Sequence, residues 1–185
     1  MKLIFDFDDT LFRTTPLFKE RMFSVLEAEG IPRIQSETLY KEMRVKEFSL
    51  MDYIGKFFTD EKKKVELYQR IMETCSDLVN EELMSVVVAT GKENCYIVTN
   101  GEQEFQLEKI EMSGIAPFFE EIIVVSGSKK EVIEKICQEF PDEKVIFVEN
   151  REIFLSDLDI GKLPNLKTVP YDKNGFQKLK EAMEG

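Results

Sequence analysis

The chain reads as an α/β protein: a parallel sheet covered by helices on both faces, with an all-helical segment inserted after the first strand. Two observations predict this. From Glu81 onward short apolar runs alternate with amphipathic helical stretches, as strands buried on both faces do. Between Pro16 and Leu78, by contrast, there is no strand-like alternation, while an isolated apolar run, Leu3-Ile4-Phe5, stands ahead of that segment and supplies strand one.

The elements follow in order. Thr15-Pro16 forms an N-cap and first-turn proline, and Phe18, Met22, Val25 and Leu26 recur at helical spacing until Gly30 and Pro32 stop the element. Ser36-Glu37-Thr38-Leu39 opens a second helical stretch, Ser49 a third that reaches Phe57-Phe58, and Asp60 a fourth running to about Leu78. A helix over 81–89 then leads to strand 95–98, a helix from 102 to Ser113-Gly114, strand 122–125, helix 129–140 and strand 145–148. Residues 166–169 form a last strand before helix 176–183. There is no internal repeat, low-complexity stretch or flexible linker.

Composition narrows the function. A length of 185 residues allows one sizeable core, or a core with a small accessory unit. The balance of 36 acidic against 25 basic residues gives a net charge of −11, the wrong sign for holding nucleic acid through its phosphates. No apolar run is long enough to span a bilayer, and no basic region precedes a signal-type apolar stretch, so a cytoplasmic protein with no membrane partner is expected. Cys75, Cys95 and Cys137 are widely spaced and read as reduced core thiols. Histidine is absent, which excludes a Ser-His-Asp or Cys-His nucleophile and any His-containing zinc site. Acid, base and metal chemistry must fall to carboxylates.

Those carboxylates stand after strand one, in Asp6-Phe7-Asp8-Asp9-Thr10-Leu11-Phe12. Three acidic side chains within four positions repel one another and resist burial, so their place at the end of an apolar strand points to a cation or a reaction. In an extended chain Asp6 and Asp8 would point to one face and Phe7 into the core. One carboxyl can then be ionised, bind a divalent ion and attack, while the other carries a proton. A polar turn with Asp8 or Asp9 capping a helix also fits these residues.

The run D-F-D-D-T-L-F resembles the first motif of the haloacid dehalogenase-like hydrolase superfamily, whose members are mostly magnesium-dependent phosphatases. The resemblance implies a Rossmann-like (HAD-like) core over residues 1–13 and 79–185 and a helical cap over 14–78. It also implies that Asp6 is the nucleophile, Asp8 the general acid/base, Thr10 the residue that orients Asp8, and Mg²⁺ the cofactor.

In an open parallel sheet the ligand site lies at the carboxyl ends of the strands. After strand two comes Thr99-Asn100-Gly101, which resembles the second motif; Thr99 would bond a phosphoryl oxygen, with backbone N–H groups at Asn100-Gly101 doing the same, although the run also fits a turn capping the next helix. After strand three, Ser128 and Glu131 make a capping box that starts a helix at Lys129, where a first-turn lysine opposes the helix dipole. Lys129 resembles the third-motif cation, with Lys130 the alternative. After strand four, Glu149-Asn150 departs from the usual Gly-Asp, Asp-Asp or Glu-Asp, putting a neutral carbonyl oxygen where the resemblance places a carboxylate ligand. The expected metal set is Asp6, the backbone carbonyl of Asp8, and Asn150 or Glu149. Asp157 and Asp159 could add an acid near the site or be exposed loop charges. Arg13 or Arg44 could bind a second anionic group of a substrate or simply lie on the surface.

The expected activity is hydrolysis of a small phosphorylated metabolite through an aspartyl phosphate. A dehalogenase would have no need of Asp8, a phosphomutase would have to protect the aspartyl phosphate from water, and a weakened relative would only bind a phosphorylated ligand or partner.

Overall fold

A computed structural model describes residues 1–45 and 48–185. Strand β1 (Lys2–Phe5) is buried throughout. A single π turn over Thr14–Phe18 then leads into α1 (Lys19–Ala28), α2 (Arg33–Met43), α3 (Leu50–Gly55) and α4 (Glu61–Met72). The chain continues through α5 (Glu81–Thr90), β2 (Cys95–Asn100), α6 (Gln103–Met112), β3 (Glu121–Val125) and α7 (Lys130–Glu139). It closes with β4 (Val145–Glu149), α8 (Glu152–Ser156), β5 (Leu166–Pro170) and α9 (Gly175–Glu184). All strands are parallel, in the order β3-β2-β1-β4-β5. Because β2 and β4 flank β1, the residues that follow these three strands emerge side by side.

Alternation along the buried strands sends neighbouring side chains to opposite faces. Leu3, Phe5, Ile97, Ile146 and Val148 enter one core; Ile4, Tyr96, Val98, Val145 and Phe147 enter the other. Ile133, Ile136 and Cys137 of α7 close the second core. The first runs on without a break into the helical segment through Phe12, Phe18, Phe23, Leu67 and Ile71. Where the chain enters and leaves that segment, residues 11–13 and 78–80 bond to each other. Arg13 N donates to Leu78 O at 2.9 Å and Asn80 N to Leu11 O at 2.8 Å.

Short polar side chains set several helix starts as expected. Ser49 Oγ accepts from Asp52 N at 3.3 Å at the head of α3, and Asp60 Oδ1 accepts from Lys63 N at 2.8 Å at the head of α4. Other boundaries differ. Ser36 lies inside α2, which begins at Arg33 just after Pro32, and its hydroxyl turns back to the Arg33 carbonyl at 2.8 Å. Thr15 caps nothing; its N–H and hydroxyl donate to the Asp9 carboxylate at 2.6 and 2.5 Å. The fourth stretch stops as an α-helix at Met72 and goes on as a 3₁₀ turn over Glu73–Asp77. Helix α8, only five residues, carries too little apolar periodicity to be read from sequence. The three cysteines are unpaired and buried, with burial pushing the thiols of Cys75 and Cys95 up to about 12 and that of Cys137 to about 11. No helix among the described residues is long and apolar enough to cross a membrane.

Asp9 links the loop after β1 to the first helical turn from a backbone with φ 61°, a conformation that short Asx side chains tolerate better than alanine. Asp9→Ala is expected to lose about 1–2 kcal/mol of stability in urea unfolding, from the lost hydrogen bonds to Thr15 and the backbone conformation together. Asp9→Asn should lose less. An alanine variant as stable as the parent would contradict this role.

Candidate active site

The first strand ends at Phe5, so Asp6 and Asp8 do not continue it. The chain instead folds into turns: Thr10 N and Phe12 N donate to Phe7 O at 3.2 and 2.9 Å, and Asp9 N donates to Phe12 O at 2.7 Å. The spacing of the two aspartates acts through a turn rather than through strand alternation. Each carboxylate is then held by a different lysine.

Asp6 is 5% exposed, and its Oδ1 lies 2.5 Å from Lys129 Nζ. The same ammonium lies 2.6 Å from Glu149 Oε2, while Glu149 Oε1 accepts from Arg151 N at 2.8 Å. Lys129 and Glu149 are 1% and 0% exposed, so one buried cation faces two buried carboxylates. Burial raises the Asp6 carboxyl to about 7, against the opposing pull of Lys129 and with a further push from the Glu149 charge. Thr10 donates to Asp6 Oδ2 at 3.3 Å and not to Asp8, correcting the expectation that it orients Asp8. The two lysine candidates are separated as well: Lys129 reaches Asp6, whereas Lys130 opens α7. The expected capping box does not form, because the Ser128 hydroxyl accepts from Lys130 N at 3.0 Å and donates to Asp157. Lys129 thus stands just before the helix, and its ammonium is drawn into the carboxylate pair.

Asp8 sits at a cavity wall with its side chain 28% exposed. Its Oδ1 accepts from Lys109 Nζ at 2.5 Å and from the Thr14 hydroxyl, and its Oδ2 accepts from Gln106 Nε2 at 2.7 Å. Burial alone would raise this carboxyl; Lys109 and the hydrogen bonds from Lys109, Thr14 and Gln106 outweigh it and hold Asp8 below the usual carboxylate range. Sequence reasoning missed Lys109 and Gln106. The signal was there in α6, where helical spacing places both on the buried face with Phe105 and Ile110.

The cavity measures about 610 Å³. Tyr40, Arg44 and Phe48 line it from the helical segment, and Asn100, Lys109, Asn150 and Arg151 from the sheet side. Thr99 Oγ1 and Asn150 Oδ1 are buried and have no hydrogen-bond partner. The other polar groups expected to receive a phosphoryl oxygen are already engaged: Asn100 Nδ2 donates to Val125 O and Gly127 O at 3.2 and 2.8 Å, and Gly101 N donates to Val125 O at 3.0 Å. Glu149 is likewise occupied by Lys129 and Arg151. Arg44 faces the cavity, its guanidinium 5.7 Å from the Tyr40 ring centre, while Arg13 lines a separate hollow near Asn80 and Tyr171. Asp157 takes the Ser128 hydroxyl, and Asp159 pairs with Lys162 at 3.0 Å. Neither lines the cavity. No group of three or more His, Cys, Asp or Glu side chains converges on a metal-sized space among the described residues.

The model of the haloacid dehalogenase-like hydrolase family matches residues 3–169. No curated protein matches the chain. Among solved structures, the HAD-hydrolase YfnB of Bacillus subtilis, bound to magnesium and described as revealing interdomain movement, is similar at 19% identity and a TM-score of 0.58, with 100% of this chain and 98% of that chain covered. A protein of Thermotoga maritima assigned as a β-phosphoglucomutase aligns at 20% identity and 0.53, with 98% and 91% covered. A dehalogenase crystallised as an intermediate complex aligns at 12% and 0.59, with 94% and 85% covered. At these identities the likeness speaks for the fold.

Removing Lys129 leaves two buried carboxylates without a cation. Lys129→Met is expected to cost about 3–5 kcal/mol near pH 8 in metal-free buffer. A carboxyl whose affinity for protons is raised makes the folded state the better proton binder, so the loss should shrink as the pH falls toward about 5. Urea unfolding across that range checks both points; a small, pH-independent loss contradicts them.

Proposed function

Because the chain belongs to the haloacid dehalogenase-like hydrolase family, we propose that it is a Mg²⁺-dependent phosphatase acting on a small phosphorylated metabolite, with Asp6 as the nucleophile. The observation that carries phosphoryl rather than halide chemistry is Asp8, held at the cavity wall by three donors. A halide departs without a proton, whereas an alkoxide needs one.

In this reading Asp6 Oδ2 attacks phosphorus as the bond to the leaving oxygen breaks, and Asp8 gives that oxygen its proton. Water then gives a proton to Asp8, attacks the phosphorus of the aspartyl phosphate, and frees Asp6 and inorganic phosphate. Oδ2 is the atom at liberty to attack, since Oδ1 is bonded to Lys129 and the contact from Thr10 to Oδ2 is long. The proton for the first step arrives with the substrate, because a phosphoryl dianion beside Asp8 raises that group's affinity for protons. The unpartnered Thr99 hydroxyl would donate to a phosphoryl oxygen, and Lys129 would balance charge on the transferring group.

A hard cation fits this donor set in its chemistry, since Asn150 Oδ1 is a buried acceptor without a hydrogen-bond partner and Asp6 is a buried carboxylate. Asp6, the Asp8 backbone carbonyl and Asn150 would hold Mg²⁺, which when bound neutralises charge on the phosphoryl oxygens. Glu149, with both oxygens engaged, would act by anchoring Lys129. Residues 14–78 would serve as the cap over a core of 1–13 and 79–185. Tyr40, Arg44 and Phe48 face the substrate space, and the paired residues 11–13 and 78–80 would form the hinge.

One observation favours a second reading, a weakened relative that binds a phosphorylated ligand without turnover: Asn150 is neutral where a carboxylate would hold the cation more tightly. Assays with an aryl phosphate, with and without Mg²⁺, separate the two. The phosphatase reading expects metal-dependent hydrolysis, lost by at least about a thousandfold in Asp6→Asn, and a Mg²⁺ affinity about tenfold tighter in Asn150→Asp, worth about 1.4 kcal/mol. Hydrolysis that appears only in Asn150→Asp favours the second reading, and undiminished activity in Asp6→Asn contradicts the first.

A further inference from the structure

Lys109 is buried at 1% exposure, with its ammonium 4.9, 5.3, 5.8 and 5.9 Å from the ring centres of Phe105, Phe7, Phe12 and Phe18. An apolar side chain would fill this space without the desolvation that a cation suffers there; the ring faces and one ion pair offset that cost. Among the described residues its one carboxylate partner is Asp8, at 2.5 Å. Gln106 is built toward the same group. Its amide donates to Asp8 Oδ2 at 2.7 Å and to Asn100 O at 3.2 Å, while its own Oε1 is buried without a partner. Gly101, at φ +152°, makes room for it, since a Cβ there would lie 2.6 Å from Gln106 Nε2. A buried cation, a half-satisfied buried amide and a glycine at positive φ are three local costs borne around a single carboxylate.

We propose that Lys109 and Gln106 are positioning residues that fix the Asp8 carboxylate at the cavity wall, in the orientation from which it exchanges a proton with the leaving oxygen and then with water. This rests on the phosphatase reading above. Both act through their hydrogen bonds to Asp8, and both belong to α6, three residues apart on one face of one rigid element. The dependence on Asp8 placement grows with the basicity of the leaving oxygen. An alkyl ester departs as a strongly basic alkoxide and needs the proton, whereas a dinitrophenyl ester departs as a weakly basic phenolate and hardly does.

The test is the ratio of kcat for a simple alkyl phosphate such as glycerol phosphate to kcat for dinitrophenyl phosphate. Lys109→Met and Gln106→Leu are each expected to lower that ratio by about tenfold or more, and Lys109→Arg to recover part of it by restoring a donor to Asp8. Methionine suits a space walled by four phenyl rings; should Lys109→Met fail to fold, Gln106→Leu decides. A ratio equal to the parent's in the folded variants, whatever the overall loss of rate, overturns the proposal, because a purely structural role would slow both esters alike. Failure of the parent to hydrolyse either ester overturns the phosphatase reading itself, and the role of Asp8 with it.

Discussion

One ammonium group, that of Lys129, lies between the carboxylates of Asp6 and Glu149 at 2.5 and 2.6 Å, with all three residues buried. The pairing alone leaves an excess negative charge, which burial makes costly and which shows in the raised Asp6 carboxyl. It is possible because the sheet order puts β4 beside β1, so that Glu149 emerges next to Asp6, and because the loop after β3 delivers Lys129 across both. A bound cation, or the phosphoryl chemistry proposed for Asp6, would use the charge that this arrangement leaves unbalanced.

The second aspartate is treated differently. Asp8 is partly exposed and well supplied with donors, so it is held as a carboxylate, whereas Asp6 is driven toward its protonated form when no cation is present. Two like groups two residues apart are thus pushed in opposite directions by their surroundings, each away from its proposed role, and a metal ion at Asp6 with a phosphoryl dianion beside Asp8 would reverse both shifts. Asn150 moderates the same site. Its neutral carbonyl lessens the repulsion among buried carboxylates and also lessens the hold on a cation.

The sheet and its helices were legible because buried parallel strands are short apolar runs and their flanking helices are amphipathic. Asp6, Lys129 and Asn150 could be singled out because each follows a strand that ends at one edge, and Thr99 because it stands one residue before the end of β2. Asp8's partners were not: Lys109 and Gln106 sit mid-helix, where polar residues ordinarily face solvent, and only the inward face they share with Phe105 and Ile110 marks them. Glu149 could be placed at the site but not assigned a partner, since spacing along a strand does not tell which of several neighbouring cations a carboxylate will meet. The helix start at Ser36 misled for a local reason, since its hydroxyl bonds the Arg33 carbonyl inside α2. The start read at Lys129 lies within one residue of α7, with Ser128 accepting from Lys130 N in place of the expected capping box.

The claim on which the rest turns is that Asp6, held by Lys129, forms a covalent phosphoryl intermediate. Mixing Asp8→Asn protein with dinitrophenyl phosphate and Mg²⁺, so that the aspartyl phosphate forms without ready hydrolysis, and then quenching with hydroxylamine tests it directly. Mass spectrometry of the digest should find the hydroxamate on Asp6. A hydroxamate on another carboxylate, or release of dinitrophenol with Asp6 unmodified, would contradict the account.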